Sequence, residues 1–200
     1  MSYLLEDLDT ETISSVGLQW SGATPEQLAF MRRVYEINLA HSSGIGTFID
    51  DIPEDQLAII ENGHKAKIDA AAACRDLLAA ARQATQSAGV IIQVGVVSGY
   101  RSATHQFNLW QSYFPGYYND TTEHRSALPG GPHGDQAATY LAQFIRARIA
   151  TPGFSNHQNG IAVDFLNKER GTTIRNSTHS SALLKWRQSW LWSWLVPCNW

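Results

Sequence analysis

The chain has 200 residues, 44% of them apolar, which suits one globular domain able to bury a core, with room for a small helical prefix. A net charge of −3, with 16% charged residues, leaves no basic footprint for nucleic acid. No run reaches the ~18 apolar residues of a membrane span, and Met1–Asp9 carries acids where an export signal needs a basic region and an apolar run.

Residues 1–24 are polar and weakly patterned and read as a loose arm. Thr24-Pro25-Glu26-Gln27 is a helix start, with Thr24 as N-cap, Pro25 at the first helical position and Gln27 at the third. Leu28, Met31, Val34, Ile37 and Leu39 follow at roughly helical spacing, and Ser42-Ser43-Gly44-Ile45-Gly46 ends the run. Ile52-Pro53-Glu54-Asp55-Gln56 looks like a second helix start. An Ala-rich helix is expected over 63–87, with Ile68, Ala71, Cys74, Leu78 and Ala81 in its buried stripe and Gly89 as its stop. Cys74 reads as a small buried apolar residue, and a single further cysteine, Cys198, gives no disulfide framework.

The β-branched run Val90–Val97 between Gly89 and Gly99 reads as a central strand. A short helix is expected near 103–113. Residues 114–134, rich in Gly and Pro and without periodicity, read as a long loop. Asp135 caps a helix to about Ala150, Ile161–Leu166 is a second strand, and 181–196 form an amphipathic helix with Leu184, Trp190, Leu191, Trp194 and Leu195 on one side.

The chemistry concentrates in two blocks. In Ser155-Asn156-His157-Gln158-Asn159-Gly160-Ile161-Ala162-Val163-Asp164 an imidazole and a carboxylate stand seven positions apart across a glycine. Asp164 falls in an apolar strand, where a lone carboxylate is costly to bury and a metal would offset the cost. Such a pair makes two thirds of a catalytic zinc site; a random His and Asp at this spacing would be a loop histidine and a capping aspartate. The other block, Ser98-Gly99-Tyr100-Arg101-Ser102-Ala103-Thr104-His105-Gln106, follows a strand. Its arginine, alone, would read as the partner of a surface carboxylate. His105 reads as structural, and His124 and His133 as loop residues facing solvent rather than a cleft. His179 is a weak substitute ligand.

These blocks resemble the SxHxxGxAxD and SGYRSxxxQ signatures of the zinc D-Ala-D-Ala peptidases, the VanY-type carboxypeptidases and VanX-type dipeptidases, in the family's order and over roughly residues 85–195. The resemblance implies an α+β fold, a small mainly antiparallel sheet flanked by helices (Hedgehog/DD-peptidase-like), and it does not account for the helical region 24–87. The expected division is an N-terminal arm and helical extension over 1–62 and a peptidase-like domain over 63–200. The resemblance also implies Zn2+ held by His157 and Asp164, Arg101 stabilising the oxyanion of a tetrahedral intermediate, Ser155 holding the substrate's terminal carboxylate, and Ser102 and Gln106 as supporting substrate contacts. For Ser102, Gln106 and Ser155 a turn or cap hydrogen bond is the competing reading.

The family also has a third block, ExxWH or EPWHW, carrying the third zinc ligand and the general base. The expectation is that this chain lacks it: either the sequence stops before it, or Val196-Pro197-Cys198-Asn199-Trp200 is its decayed form. The first is preferred, because a helix running into Val196 leaves no room for the strand that should intervene. The expected function is zinc-dependent cleavage of D-Ala-D-Ala or related peptidoglycan stem peptides by a monomer, inactive if the third block is absent. The competing readings are a non-catalytic cell-wall-binding or scaffold module and an L-Ala-D-Glu endopeptidase of the same superfamily. A cell-wall substrate and a cytoplasmic start leave the compartment open.

Overall fold

The computed structural model describes residues 17–89, 94–167 and 172–173. Residues 1–16 of the expected arm over 1–24, the 181–196 helix, His179, Cys198 and the Val196–Trp200 segment lie outside the described residues. The described end of that arm is not loose: Leu18 and Trp20 pack on the core, with Trp20 edge-on to Tyr118 at 5.0 Å. In chain order the described elements are α1 (Pro25–Ile45), a 3-10 turn (Glu54–Gln56), β1 (Leu57–Glu61), β2 (His64–Lys67), α2 (Ile68–Ser87), β3 (Val94–Ser98), α3 (Ala103–Asp120), α4 (Thr122–Ser126), α5 (Asp135–Arg146), β4 (Asp164–Asn167) and β5 (Thr172–Thr173). This is the expected α+β class, with small antiparallel sheets. Among the described residues, no helix is long and apolar enough to cross a membrane. The chain forms two compact units, Met1–Asp51 with Arg101–Asn159 and Ile52–Tyr100 with Gly160–Trp200.

The first unit is helical. The expected capping box opens α1: Thr24 Oγ1 accepts from Gln27 N at 3.2 Å and Gln27 Oε1 accepts from Thr24 N at 2.8 Å. Its buried face is Phe30, Met31, Val34, Tyr35, Asn38 and Ser42, with Leu28, Ile37 and Leu39 on the half-buried flanks. That face packs against α5, where Ala137, Ala138, Leu141, Ala142 and Ile145 recur at helical spacing. Aromatic rings from α1 and α3 complete the core; Tyr35 meets Trp110 edge-on with centroids 4.9 Å apart.

The expected loop over 114–134 is mostly helix. α3 runs on through Pro115 to Asp120 and α4 follows, so only 127–134 remain as turns. A proline inside a helix costs ~3 kcal/mol. Phe114, fully buried, and Tyr117 and Tyr118, half-buried against the same core, offset it. The turns are tied down by Arg125, fully buried, whose guanidinium donates to the carbonyls of Pro132 (2.5 Å) and Tyr118 (2.7 Å). His133 is half-buried, 2.8 Å from both Tyr118 Oη and Glu26 Oε1, while His124 is exposed and stacks on Tyr140. α5 begins after Gly134, with Asp135 at its first position rather than as cap, and stops at Arg146 rather than near Ala150. Asp135 pairs with Arg33 instead.

The second unit combines a hairpin, a helix and a sheet around smaller side chains: Ile60, Ala66, Ala71, Cys74, Leu78, Ala81, Val94 and Val96. The expected helix over 63–87 starts only at Ile68, and the second helix start at Ile52 is a single 3-10 turn. Between them, β1 and β2 pair antiparallel through Asn62 (φ 51°) and Gly63 (φ 81°), the positive-φ pair that a two-residue hairpin turn requires. Ile68, at the first position of α2, is 52% exposed, whereas Ala71, Cys74, Leu78 and Ala81 form the expected buried stripe.

In the sheet the order is β3-β4-β5, so β4 rather than β3 is central among the described residues. It begins at Asp164, three residues later than the expected Ile161. The outward groups of β3 are met by side chains. Val96 N donates to Glu61 Oε1 at 2.7 Å, and Val94 O accepts from Arg82 Nε and Nη2 at 3.1 and 2.8 Å. Arg82 and Glu61 also pair with each other at 2.5 Å.

Candidate active site

Two glycines fix the backbone where the two motif blocks cross the second unit. A Cβ on Gly99 would stand 2.3 Å from Lys65 O, because Tyr100 N donates to that same carbonyl at 2.6 Å. Strand β2 therefore approaches too closely for any other residue at position 99. Gly160 has φ +71°, and a Cβ there would meet Ile52 Cδ1 at 2.6 Å; its carbonyl accepts from Lys67 N at 2.9 Å. Both motif glycines thus lie against β2. Asp164 opens β4 of this unit, half-buried, opposite Ser98 at the end of β3.

The first unit brings the other five predicted site residues together. Arg101 N donates to His157 O at 3.1 Å, joining the two blocks through the backbone. The Arg101 Nη1 donates to Gln106 Oε1 at 3.2 Å, and Gln106 Nε2 donates to Ala150 O at 2.9 Å. With Gln106 only 1% exposed, its amide is engaged at both ends and orients the guanidinium. Ser102 is the N-cap of α3, its Oγ accepting from His105 N at 3.1 Å. Ser155, 3% exposed, accepts from His157 N at 3.2 Å through Oγ. That geometry is a serine turn, and a hydroxyl that accepts one bond keeps its proton to donate. His157 is half-buried and His105 is exposed on the solvent side of α3.

Two residues outside the predicted set belong to this framework. Asp51 Oδ1 accepts from Ala103 N at 2.7 Å, at the first turn of α3. Gln158, fully buried, accepts from Gly153 N at 3.0 Å and donates to Ile49 O and toward Asp51 Oδ1 at 3.4 Å. Gln158 sits inside the histidine motif but at one of its variable positions. Nothing in local pattern marks Asp51, whose partners lie 52 and 107 positions away.

An imidazole and a carboxylate are donors of the type zinc takes, but a catalytic site needs three protein ligands. Among the described residues no group of three or more His, Cys, Asp or Glu comes together to hold a metal ion. The described part of the chain does not by itself complete a zinc site.

Residues 63–194 match the family described as VanY, D-alanyl-D-alanine carboxypeptidase. No curated protein matches the chain. Among solved structures the chain is similar to a variant of the vancomycin-resistance D,D-pentapeptidase VanY from a VanB-type cassette in complex with Zn(II) (21% identity, 70% of this chain and 67% of that one, TM-score 0.44). It is also similar to VanYB in complex with D-alanine-D-alanine (20% identity, the same coverages, TM-score 0.47).

Proposed function

The chain belongs to the VanY D-alanyl-D-alanine carboxypeptidase family, and from that premise we propose that it recognises and cleaves peptides ending in D-Ala-D-Ala, the termini of peptidoglycan stem peptides. The observation that carries the reading is the junction of the two motif blocks, where Arg101 N donates to His157 O and the Arg101 guanidinium is aimed by a buried Gln106.

Each residue then has a chemical task. Arg101 carries a permanent charge and a fork of donors, suited to the negative oxygen that develops when an amide carbonyl is attacked. Gln106 holds that fork in place, so its contribution is orientation rather than direct substrate contact. Ser155 donates its hydroxyl proton to the substrate's terminal carboxylate, its acceptor side being occupied by His157 N. Ser102 contributes by fixing the start of α3, which carries Gln106. Zinc is the proposed cofactor, with His157 and Asp164 as two of its ligands and a third from outside the described residues. When bound, it lowers the pKa of a coordinated water toward neutrality.

Digestion of purified muropeptides with the zinc-supplemented chain, read by mass, tests this. Loss of one terminal D-Ala, with stoichiometric zinc by metal analysis, is expected of a chain that carries the third ligand and the general base. Removing the Arg101 donor by Arg101→Ala should lower kcat/KM by ~10²–10³-fold, and Arg101→Lys should recover only part of it, since an ammonium lacks the fork. Muropeptide binding without turnover, unaffected by chelator, would replace this reading with the cell-wall-binding module. A cut between L-Ala and D-Glu would replace it with the endopeptidase.

A further inference from the structure

We infer that Gln158 and Asp51 form a positioning pair that sets the histidine motif against the arginine motif. This rests on the reading of Arg101 and His157 given above. Gln158 is fully buried, and its side chain uses both ends: Oε1 accepts from Gly153 N at 3.0 Å, while Nε2 donates to Ile49 O and reaches Asp51 Oδ1 at 3.4 Å. Its own N–H donates to Ser155 O at 2.9 Å. One amide therefore ties the 153–158 turn, which carries Ser155 and His157, to the 49–51 segment.

Asp51 passes that tie onward. Its Oδ1 accepts from Ala103 N at 2.7 Å, two residues after Arg101 and at the start of the helix that carries Gln106. The carboxylate also suits the partial positive charge of a helix N-terminus. The loop closes where Arg101 N donates to His157 O at 3.1 Å. A ring of hydrogen bonds thus runs from Gln158 through Asp51, Ala103 and Arg101 to His157 and back. A buried amide left without its partners carries the full cost of desolvation, so the ring resists partial opening. In this reading Asp51, which precedes the family match at residue 63, supports the chemistry of residues within it.

The test uses the 200-residue chain and two independent readouts: amide hydrogen exchange at Arg101 by NMR, and affinity for the D-Ala-D-Ala dipeptide by calorimetry. Gln158→Leu is expected to lower Arg101 amide protection about tenfold and to weaken dipeptide binding by a similar factor, the size of one lost buried hydrogen bond. The Leu141 and Ala142 amides of α5 should keep their protection. Asp51→Ala, a change at an exposed position, should act in the same direction, and Asp51→Asn, which retains the acceptor, should recover most of the Arg101 protection. Adding Asp51→Ala to Gln158→Leu should cost less than the sum of the two, because they share one ring. Unchanged Arg101 protection in Asp51→Ala and Gln158→Leu, or a loss spread equally over α5, overturns the inference. Failure of the unaltered chain to bind the dipeptide would remove the proposed function, while the exchange measurement would still decide the ring.

Discussion

The two units solve the same problem with different materials. The first closes its core with large rings, Phe30, Tyr35, Phe107, Trp110 and Phe114, carried on helices. The second uses alanines, valines, Leu78 and Cys74 between a helix and strands. Ring cores position residues through side-chain bonds, as the Gln106 and Gln158 amides do for Arg101 and His157. The small-residue core positions them through close backbone approach, as β2 does at Gly99 and Gly160. A motif that spans both units is therefore written in two kinds of residue: polar groups on one side and glycines on the other.

The contrast can be broken at its centre. Trp110→Ala, removing a fully buried indole, should cost ~3–5 kcal/mol by leaving a cavity the helices cannot collapse into. Leu78→Ala should cost ~2–5 kcal/mol in the second unit. Denaturant unfolding followed by tryptophan fluorescence and by far-ultraviolet dichroism reads both. If the units unfold separately, the protection of the α5 amides against hydrogen exchange should fall with Trp110→Ala and hold with Leu78→Ala; an equal fall would mean one cooperative transition.

Smaller changes sharpen the backbone side. Gly160→Ala must adopt a positive φ and displace Ile52, so a loss of ~1–3 kcal/mol is expected in thermal unfolding. An unchanged Tm would mean that this turn relaxes freely. At the low end, Thr24→Ala removes one arm of the capping box and should cost ~1 kcal/mol, visible as a small drop in denaturation midpoint with unchanged slope.

What could be read in advance follows the range of each signal. The Thr24 cap, the Ala71–Ala81 stripe and the two motif blocks are local patterns, and the sequence carried them openly. Asn62-Gly63 was an equally local hairpin signal, but the alanines after it extended the apparent helix back over β2. Around Pro115 and Gly116, residues that usually punctuate structure masked Trp110, Phe114, Tyr117 and Tyr118, whose spacing is helical. Gln106 could be named but not given its task, because the task depends on Ala150 O, 44 positions away. The Asp51–Gln158 ring was beyond reach for the same reason.

The Glu61–Arg82 pair has a consequence for how the protein behaves in a crowded solution. An edge strand with open N–H and C=O groups is a template for the strand of another copy. On β3, an edge of its sheet among the described residues, the Val96 N–H and the Val94 carbonyl are already occupied by these two side chains. Self-association through that edge must first pull apart an ion pair held by its own unit. A half-buried carboxylate on β1 and a guanidinium on α2 thereby act as a guard on solubility.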